Sequence, residues 1–302
     1  MAGMTLPVLE RRDIHSFDGT RLEVQTFGRG DIPIVIANGL GGTLLAWAPL
    51  LRALEDRVRF VSWDYRGLYN SGPPAMRTNL RLAHHVADLA AVMDATGTES
   101  AVLAGWSVGV QVCIQAAVDL PERVQGLILV NGTYGRIFDT AFRHGLWKHV
   151  LPTLNRIGQL GAPLMPPLVH FVTHHPWFLP LMTRLRFIDE RLDREVFLEI
   201  ARGFRDLDLR TYMRILAHAH EHDGEPLLAR IAVPMLLVCG QRDAMTPATV
   251  RHVFEKHVRH AEVCLVPNGT HYSLIEYPDL VCKRVAAFLD EHFTPPVLAR
   301  EA

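Results

Sequence analysis

Apolar strand-like segments alternate with helix-like segments along both ends of this 302-residue chain, and this alternation strongly limits its fold. The strand-like segments are short and rich in β-branched residues, while the helix-like segments repeat apolar residues every three or four positions. The predicted strands cover residues 13–17, 21–27, 32–38, 58–63, 101–104, 124–130, 234–238 and 261–266. The predicted helices cover residues 44–54, 80–96, 108–120, 247–257 and 273–292. We therefore predict the α/β class, with helices packed around a mostly parallel sheet.

The alternation stops over residues 133–231, where helical patterns are found around 194–204 and 211–222. We predict an α/β core made of residues 1–132 and 232–302, with residues 133–231 forming a helical cap inserted after the sixth strand.

Residues 157–183 of this cap contain no Asp, Glu, Lys or Arg, and they include five prolines. The prolines argue against a membrane-spanning helix. The segment indicates a lid over an apolar pocket, and Met165, Phe171 and Trp177 are its candidate substrate-binding residues. Ordinary packing inside the cap and contact with a lipid surface are the alternatives.

Charge and cysteine usage exclude several classes of protein. The chain has 31 Lys and Arg against 32 Asp and Glu and no long basic run, so we expect no nucleic-acid partner. Its four cysteines stand apart, which is typical of buried thiols in a reducing compartment rather than of a disulfide framework. Residues 1–12 lack the apolar core of a signal peptide. We expect a cytoplasmic protein without a transmembrane segment and leave its oligomeric state open.

A candidate nucleophile lies where predicted strand 101–104 meets predicted helix 108–120. Gly105-Trp106-Ser107-Val108-Gly109 fits the pattern G-x-S-x-G, in which the serine occupies a sharp turn from a strand into a helix. Side chains at the two glycine positions would clash with neighbouring elements. The turn places the serine hydroxyl at a helix N-terminus, where free amides favour developing negative charge. A glycine-rich turn without chemistry is the alternative.

A serine hydroxyl needs a general base to act as a nucleophile at neutral pH, usually a histidine held by a carboxylate. His271 follows the last predicted strand, and Asp243 follows the strand before it. Because the carboxyl ends of parallel strands lie at one sheet edge, we expect Ser107, Asp243 and His271 to meet there. Asn131, at the end of strand 124–130, carries an amide that cannot serve as the charged partner, which favours Asp243.

These motifs resemble those of the α/β-hydrolase superfamily, in particular its serine esterases and lipases with a helical cap. The resemblance rests on Gly105-Trp106-Ser107-Val108-Gly109, Gly240-Gln241-Arg242-Asp243 with Pro247, Gly269-Thr270-His271, and Trp63-Asp64-Tyr65-Arg66-Gly67 with Ser71-Gly72. It implies Ser107 as the nucleophile, His271 as the base and then the acid, and Asp243 as the orienting carboxylate. It also implies an oxyanion hole formed by the backbone N–H groups of Leu40 and Val108. We add Trp106 as a candidate substrate contact.

The chain departs from the superfamily after the third predicted strand. Relatives commonly carry His-Gly there, whereas this chain has Asn38-Gly39-Leu40-Gly41-Gly42. A backbone donor is unaffected by this change, and we expect the Asn38 amide to brace the loop. Asn-Gly at this place also occurs in hydrolases that resemble intracellular polyhydroxyalkanoate depolymerases.

The resemblance implies hydrolysis of a small-molecule carboxylic ester with a fairly apolar acyl or aryl part, through an acyl-enzyme intermediate and without a cofactor. Haloalkane dehalogenases and epoxide hydrolases of this fold use a carboxylate nucleophile, so a serine at position 107 argues against both. Carbon–carbon bond hydrolases and lactonases share the triad, and a hydrolase-like ligand receptor with little turnover is a further alternative. His218 and His222 share a helix face, but they have no identifiable third ligand, so we predict no metal site.

Overall fold

The computed structural model describes residues 10–141, 147–162 and 165–293, without the side chains of Trp147 and Met165. Its strands are β1 (Glu10–His15), β2 (Arg21–Phe27), β3 (Ile32–Ala37), β4 (Val58–Trp63), β5 (Ala101–Trp106), β6 (Val124–Val130), β7 (Met235–Gly240) and β8 (Ala261–Val266). They form one sheet in the order β1-β2-β4-β3-β5-β6-β7-β8. The pairs β1–β2 and β2–β4 are antiparallel, and the other pairs are parallel. This sheet confirms the predicted α/β class.

Helices cover both faces of the sheet. They are α1 (Ala48–Leu54), α2 (Leu82–Ala95), α3 (Val108–Asp119), α4 (Ile137–Thr140), α5 (Trp147–Gly161), α6 (Met165–His174), α7 (Phe178–Arg184), α8 (Arg194–Gly203), α9 (Leu209–Glu221), α10 (Glu225–Leu228), α11 (Arg251–His257), α12 (Ser273–Glu276) and α13 (Pro278–Phe293). Val35 of β3 packs in a core with α2 and α3, while its neighbours Ile34 and Ile36 pack in a second core with α1 and α13. Successive residues of β3 therefore supply opposite faces, as in a strand buried on both sides.

Three element boundaries differ from the sequence prediction for local reasons. The first strand ends at His15 because the Ser16 N–H donates to the Thr20 carbonyl at 2.9 Å and closes the hairpin turn. The predicted helix 44–54 begins as a 3-10 turn, Leu44–Trp47, before α1. The predicted helix 273–292 is two helices, since Pro278 has no N–H to continue the first one.

The described residues between β6 and β7 form helices α4 to α10 and the 3-10 turn Phe204–Asp206. We call residues 133–231 the helical insertion. Helix α5 packs on α9, and α6 packs on α8 and on the 3-10 turn. The bounds of the predicted cap, 133 and 231, stay a prediction. Among the described residues, no helix has both the length and the hydropathy that crossing a bilayer requires.

The Arg66 guanidinium joins three parts of the core. Its side chain is completely buried, and it donates to both carboxylate oxygens of Asp88 at 2.8 and 2.5 Å and to Asp18 at 2.8 Å. Asp88 lies on α2, Asp18 lies in the β1–β2 turn, and Arg66 follows β4. Burial alone would lower the pKa of Arg66, but the hydrogen bonds and charge of Asp88 raise it. The hairpin, the loop after β4 and α2 are therefore held by one charged group.

Replacing Arg66 with Met should lower the free energy of unfolding by about 3–5 kcal/mol, because Asp88 would stay buried without its cation. Urea denaturation of the purified chain measures this loss. Arg29→Met is the matched control, since Arg29 pairs with Asp56 at 3.5 Å but its side chain is 86% exposed. That control should change stability by no more than about 0.5 kcal/mol. Equal losses in the two variants would contradict this account of Arg66.

Candidate active site

Ser107 lies in a strained turn between β5 and α3, with φ of 56° and ψ of −118°. The glycines on either side allow this turn by removing side chains. A Cβ at Gly109 would lie 1.9 Å from the carbonyl oxygen of Ala37, and one at Gly105 would lie 2.7 Å from the carbonyl oxygen of Gly109. The first turn of α3 therefore presses directly on β3, as the sequence pattern predicts.

The structure brings together the three side chains predicted to form the triad. The Ser107 Oγ lies 2.9 Å from Nε2 of His271, and Nδ1 of His271 lies 2.9 Å from Oδ2 of Asp243. Ser107 follows β5, Asp243 follows β7 and His271 follows β8, so the three parallel strands deliver them to one sheet edge. Asp243 and His271 are buried, while Ser107 is partly exposed.

The Asp243 carboxylate is fixed by its own loop as well as by His271. Its Oδ1 accepts the backbone N–H groups of Met245 and Thr246 at 2.8 and 2.9 Å. Its Oδ2 accepts the Thr246 hydroxyl at 2.6 Å. These donors fix the orientation of the carboxylate. Asp243 accepts the Nδ1 proton of His271, which leaves Nε2 free to accept the Ser107 proton.

The loop Asn38-Gly39-Leu40-Gly41-Gly42 follows β3 and is braced by the Asn38 side chain. The Asn38 amide accepts the indole N–H of Trp47 at 2.8 Å and donates to the Ser62 hydroxyl at 3.2 Å. The Leu40 N–H has no acceptor among the described residues. The Val108 N–H begins α3, where amides have no partner within the helix. Neither predicted oxyanion donor therefore has an acceptor among the described residues.

Trp106 supports two loops of the site. Its ring is 4% exposed and its Nε1–H donates to the backbone carbonyl of His271 at 3.0 Å. The same ring lies against the oxyanion loop, since a Cβ at Gly39 would come within 2.9 Å of it. Trp106 therefore ties the His271 loop to the Asn38–Gly42 loop, and its predicted contact with a substrate stays a prediction.

Two of the three predicted substrate-binding residues of the insertion, Phe171 and Trp177, lie on its solvent-exposed surface. Phe171 is 60% exposed and Trp177 is 40% exposed. Both rings contact His175, with centroid distances of 5.7 and 5.3 Å. The side chain of Met165 lies outside the described part of the chain. Substrate contact by these three residues stays a prediction.

Three aromatic residues that the sequence analysis did not single out lie against the oxyanion loop. A Cβ at Gly41 would meet the ring of Phe204 at 2.5 Å and that of Tyr212 at 3.1 Å. The Tyr69 hydroxyl donates to the Gly41 carbonyl at 2.5 Å. Burial raises the pKa of Tyr212 to about 12, so it stays neutral. Phe204 and Tyr212 of the insertion and Tyr69 of the core thus cover the loop with aromatic surface, and no spacing in the sequence indicates these long-range contacts.

Asn131 joins the loops that carry Asp243 and His271. Its amide donates to the Thr270 carbonyl at 2.9 Å and accepts the Gly240 N–H at 2.8 Å. The sequence alone indicates Asn131 only as a residue that cannot replace the acid. Its position after a strand of the same sheet was the available signal for this bridging role.

Glu276 holds the residue before His271. Its carboxylate accepts the Thr270 N–H at 2.7 Å and the Asp189 N–H at 2.9 Å. The Thr270 hydroxyl lies 2.5 Å from Glu276 Oε1 and 2.9 Å from the Phe187 carbonyl. Burial raises the pKa of Glu276. Glu276 therefore joins the His271 loop to residues 187–189 of the insertion. In the sequence, Glu276 stands out only as a lone acidic residue in the apolar run after His271.

Comparisons with known proteins agree with this architecture. A family model described as alpha/beta hydrolase fold matches residues 32–278. The protein named "Putative carbamate hydrolase RutD" from Azorhizobium caulinodans is 27% identical over 262 residues, which are 86% of this chain and 91% of that protein. The protein of the same name from Caulobacter sp. strain K31 is 29% identical over 263 residues, covering 85% of this chain and 90% of that protein.

Solved structures show the same fold. The enol-lactonase from Burkholderia xenovorans LB400 aligns with a TM-score of 0.74 at 22% identity, covering 92% of this chain and 99% of that one. An esterase from Exiguobacterium antarcticum aligns with a TM-score of 0.73 at 18% identity, covering 93% of this chain and 100% of that one. At such low sequence identities, these alignments show the fold alone.

Replacing Glu276 with Ala should slow covalent labelling of Ser107 by a fluorophosphonate by about tenfold to a hundredfold, because a loosened Thr270 displaces His271. Glu276→Gln should label faster than Glu276→Ala, since its amide oxygen can still accept an N–H. The labelling rate is measured against pH for each variant, well below its unfolding temperature. Unchanged labelling of Glu276→Ala would show that Glu276 does not position His271.

Proposed function

Since the chain belongs to the alpha/beta hydrolase fold family, we propose that this hydrolase cleaves carboxylic esters with a fairly apolar acyl or aryl part. One observation carries the proposal. Two hydrogen bonds of 2.9 Å link Ser107 to His271 and His271 to Asp243, and the N–H groups of Leu40 and Val108 have no acceptor in the part of the chain that the structure describes. This arrangement is suited to acyl transfer through a serine nucleophile.

In the first half of the proposed reaction, Ser107 Oγ attacks the ester carbonyl carbon while His271 Nε2 takes the hydroxyl proton. Asp243 stabilises the imidazolium that forms. The N–H groups of Leu40 and Val108 hold the oxygen that becomes negative in the tetrahedral intermediate. The intermediate collapses as the bond to the alkoxy oxygen breaks, and His271 gives its proton to the departing alcohol. An acyl group then remains on Ser107.

In the second half, His271 takes a proton from a water molecule, which attacks the acyl carbon. The bond between the acyl carbon and Ser107 Oγ breaks, and His271 returns the proton to Ser107. The carboxylic acid is released and the enzyme is restored. Both halves use the same base and the same oxyanion donors, so no cofactor is needed for atoms or charge to balance.

The surroundings of the oxyanion loop support an uncharged, apolar substrate part. Tyr69, Phe204 and Tyr212 bring aromatic surface to Gly41, next to Leu40. Their rings offer van der Waals contact and no charge at neutral pH. A fairly apolar acyl or aryl group would gain contact there, whereas a carboxylate would lose hydration without a compensating cation.

Carbamate hydrolysis is the second candidate, because relatives named as carbamate hydrolases align with most of this chain. A carbamate carbonyl can add a serine oxygen in the same way, and the oxyanion donors serve both reactions. The two candidates differ in the leaving and retained groups, so they are separated by substrate comparison rather than by the nucleophile.

Ser107→Ala should abolish p-nitrophenyl butyrate hydrolysis and fluorophosphonate labelling, since both begin with the Ser107 oxygen. We expect a loss of at least about a thousandfold in kcat. Ser100→Ala is the matched control, because Ser100 accepts a hydrogen bond from Gln125 away from the triad and should keep full activity. Retained labelling of Ser107→Ala would overturn the assignment of the nucleophile.

A chain-length series of p-nitrophenyl esters should separate the substrate classes. If the acyl group is buried, each added CH₂ should contribute about 0.8 kcal/mol, which raises kcat/KM about fourfold until the pocket is filled. An aryl carbamate is measured beside the series. If the carbamate has a higher kcat/KM than every ester, carbamate hydrolysis replaces ester hydrolysis as the proposed function. A lactone is measured in the same way, and a higher kcat/KM for it would support lactone hydrolysis.

A further inference from the structure

The helical insertion exposes an unusual amount of apolar surface. Among the residues that the structure describes, eight of the twelve exposed large hydrophobic side chains lie between positions 154 and 185. We call these eight the apolar face: Leu154, Ile157, Leu160, Leu168, Phe171, Trp177, Leu181 and Leu185. Single exposed hydrophobic residues are normal in proteins, but such a concentration in one segment marks an interaction surface.

The apolar face follows helix geometry. Leu154, Ile157 and Leu160 are three residues apart on α5, and Leu168 and Phe171 are three apart on α6. Residues at this spacing lie on one side of a helix. The exposure is large, reaching 82% at Leu160 and 60% at Phe171. The ring contacts of His175 with Phe171 and Trp177 make α6 and the start of α7 one continuous surface.

The charge of this segment has one sign. Residues 140–188 contain no Asp or Glu, but they contain five Lys or Arg residues in a chain of net charge −1. Four of the five are described, and all four are exposed and form no ion pair with a described residue: Lys148, Arg156, Arg184 and Arg186. A segment that exposes both apolar side chains and such cations is complementary to a lipid surface with negative headgroups.

We infer that the apolar face docks on an anionic lipid bilayer, with the exposed Leu, Ile, Phe and Trp side chains in the interfacial region and the Lys and Arg side chains at the headgroups. A second copy of this chain fits less well, because face-to-face association would bring the unpaired cations of both copies together. The docking does not depend on the proposed reaction.

In the docked orientation, the lipid surface would lie against α6, which packs on the residues that cover the oxyanion loop. Helix α6 carries part of the apolar face and packs on the turn Phe204–Asp206. The Phe204 ring in turn lies against Gly41 of the oxyanion loop. An apolar molecule that leaves the bilayer at α6 is therefore one layer of the insertion away from the oxyanion loop.

Sedimentation with vesicles tests the proposal on the full chain. We expect binding to vesicles of phosphatidylcholine mixed with phosphatidylglycerol, and much weaker binding to phosphatidylcholine alone or at high salt. Phe171→Glu should weaken binding by at least about tenfold, because a charge replaces an aromatic ring that the docked protein would bury in the bilayer. Met76→Glu is the matched control, since Met76 is also 60% exposed but lies outside the apolar face. Circular dichroism checks that each variant folds.

Tryptophan emission gives a second readout. Trp177 is exposed whereas Trp47, Trp63 and Trp106 are buried, so mixed vesicles should shift the emission to shorter wavelength. Trp177→Phe should reduce that shift.

Three results would overturn the proposal: equal binding to both vesicle types, an equal loss in Met76→Glu, or a dimer in solution that Phe171→Glu dissociates. Ser107→Ala should bind vesicles like the unmodified chain, so a failure of the proposed reaction stays distinct from a failure of docking.

Discussion

The approach of α3 to β3 is the constraint on which the candidate site depends. The backbone of Gly109 is so close to Ala37 that no side chain fits between them. This contact fixes where α3 begins, and Ser107 takes a positive φ to connect β5 to it. The strained turn lifts the hydroxyl above the sheet edge and directs the first amide of α3 towards the same space. A looser packing of α3 would displace the proposed nucleophile, Ser107, and a proposed oxyanion donor, Val108, together.

The His271 loop is held by contacts from parts of the chain that are distant in sequence. Trp106 binds the His271 carbonyl, Asn131 binds the Thr270 carbonyl and Glu276 binds the Thr270 N–H. These groups come from the nucleophile turn, the end of β6 and α12. Contacts from two strand ends and a helix thus hold the His271 imidazole in position, so that its distances to Ser107 and Asp243 do not depend on the short loop alone.

The sequence predicts what local pattern controls. The strand–helix alternation and the G-x-S-x-G turn predict the sheet, and the ends of the parallel strands indicate that Ser107, Asp243 and His271 meet. The place of Phe204 could not be predicted, because it depends on how the helical insertion folds back on the core. Glu276 stands out as a lone acidic residue in an apolar run, but its partner Asp189 lies in the insertion and could not be predicted. The predicted first strand begins at residue 13, whereas β1 already includes Glu10, because the exposed residues of an edge strand lack the apolar pattern of a buried one. Long-range packing, rather than propensity, decides these positions.

The Thr270 hydroxyl carries a single proton, yet it faces two acceptors, the Glu276 carboxyl and the Phe187 carbonyl. An ionised Glu276 and the Phe187 carbonyl compete for that one proton. A protonated Glu276, which its raised pKa favours, can donate to Thr270, and Thr270 can then donate to Phe187. Protonation of Glu276 would therefore add a hydrogen bond between the insertion and the His271 loop. The contact between the insertion and the core should therefore strengthen as the pH falls.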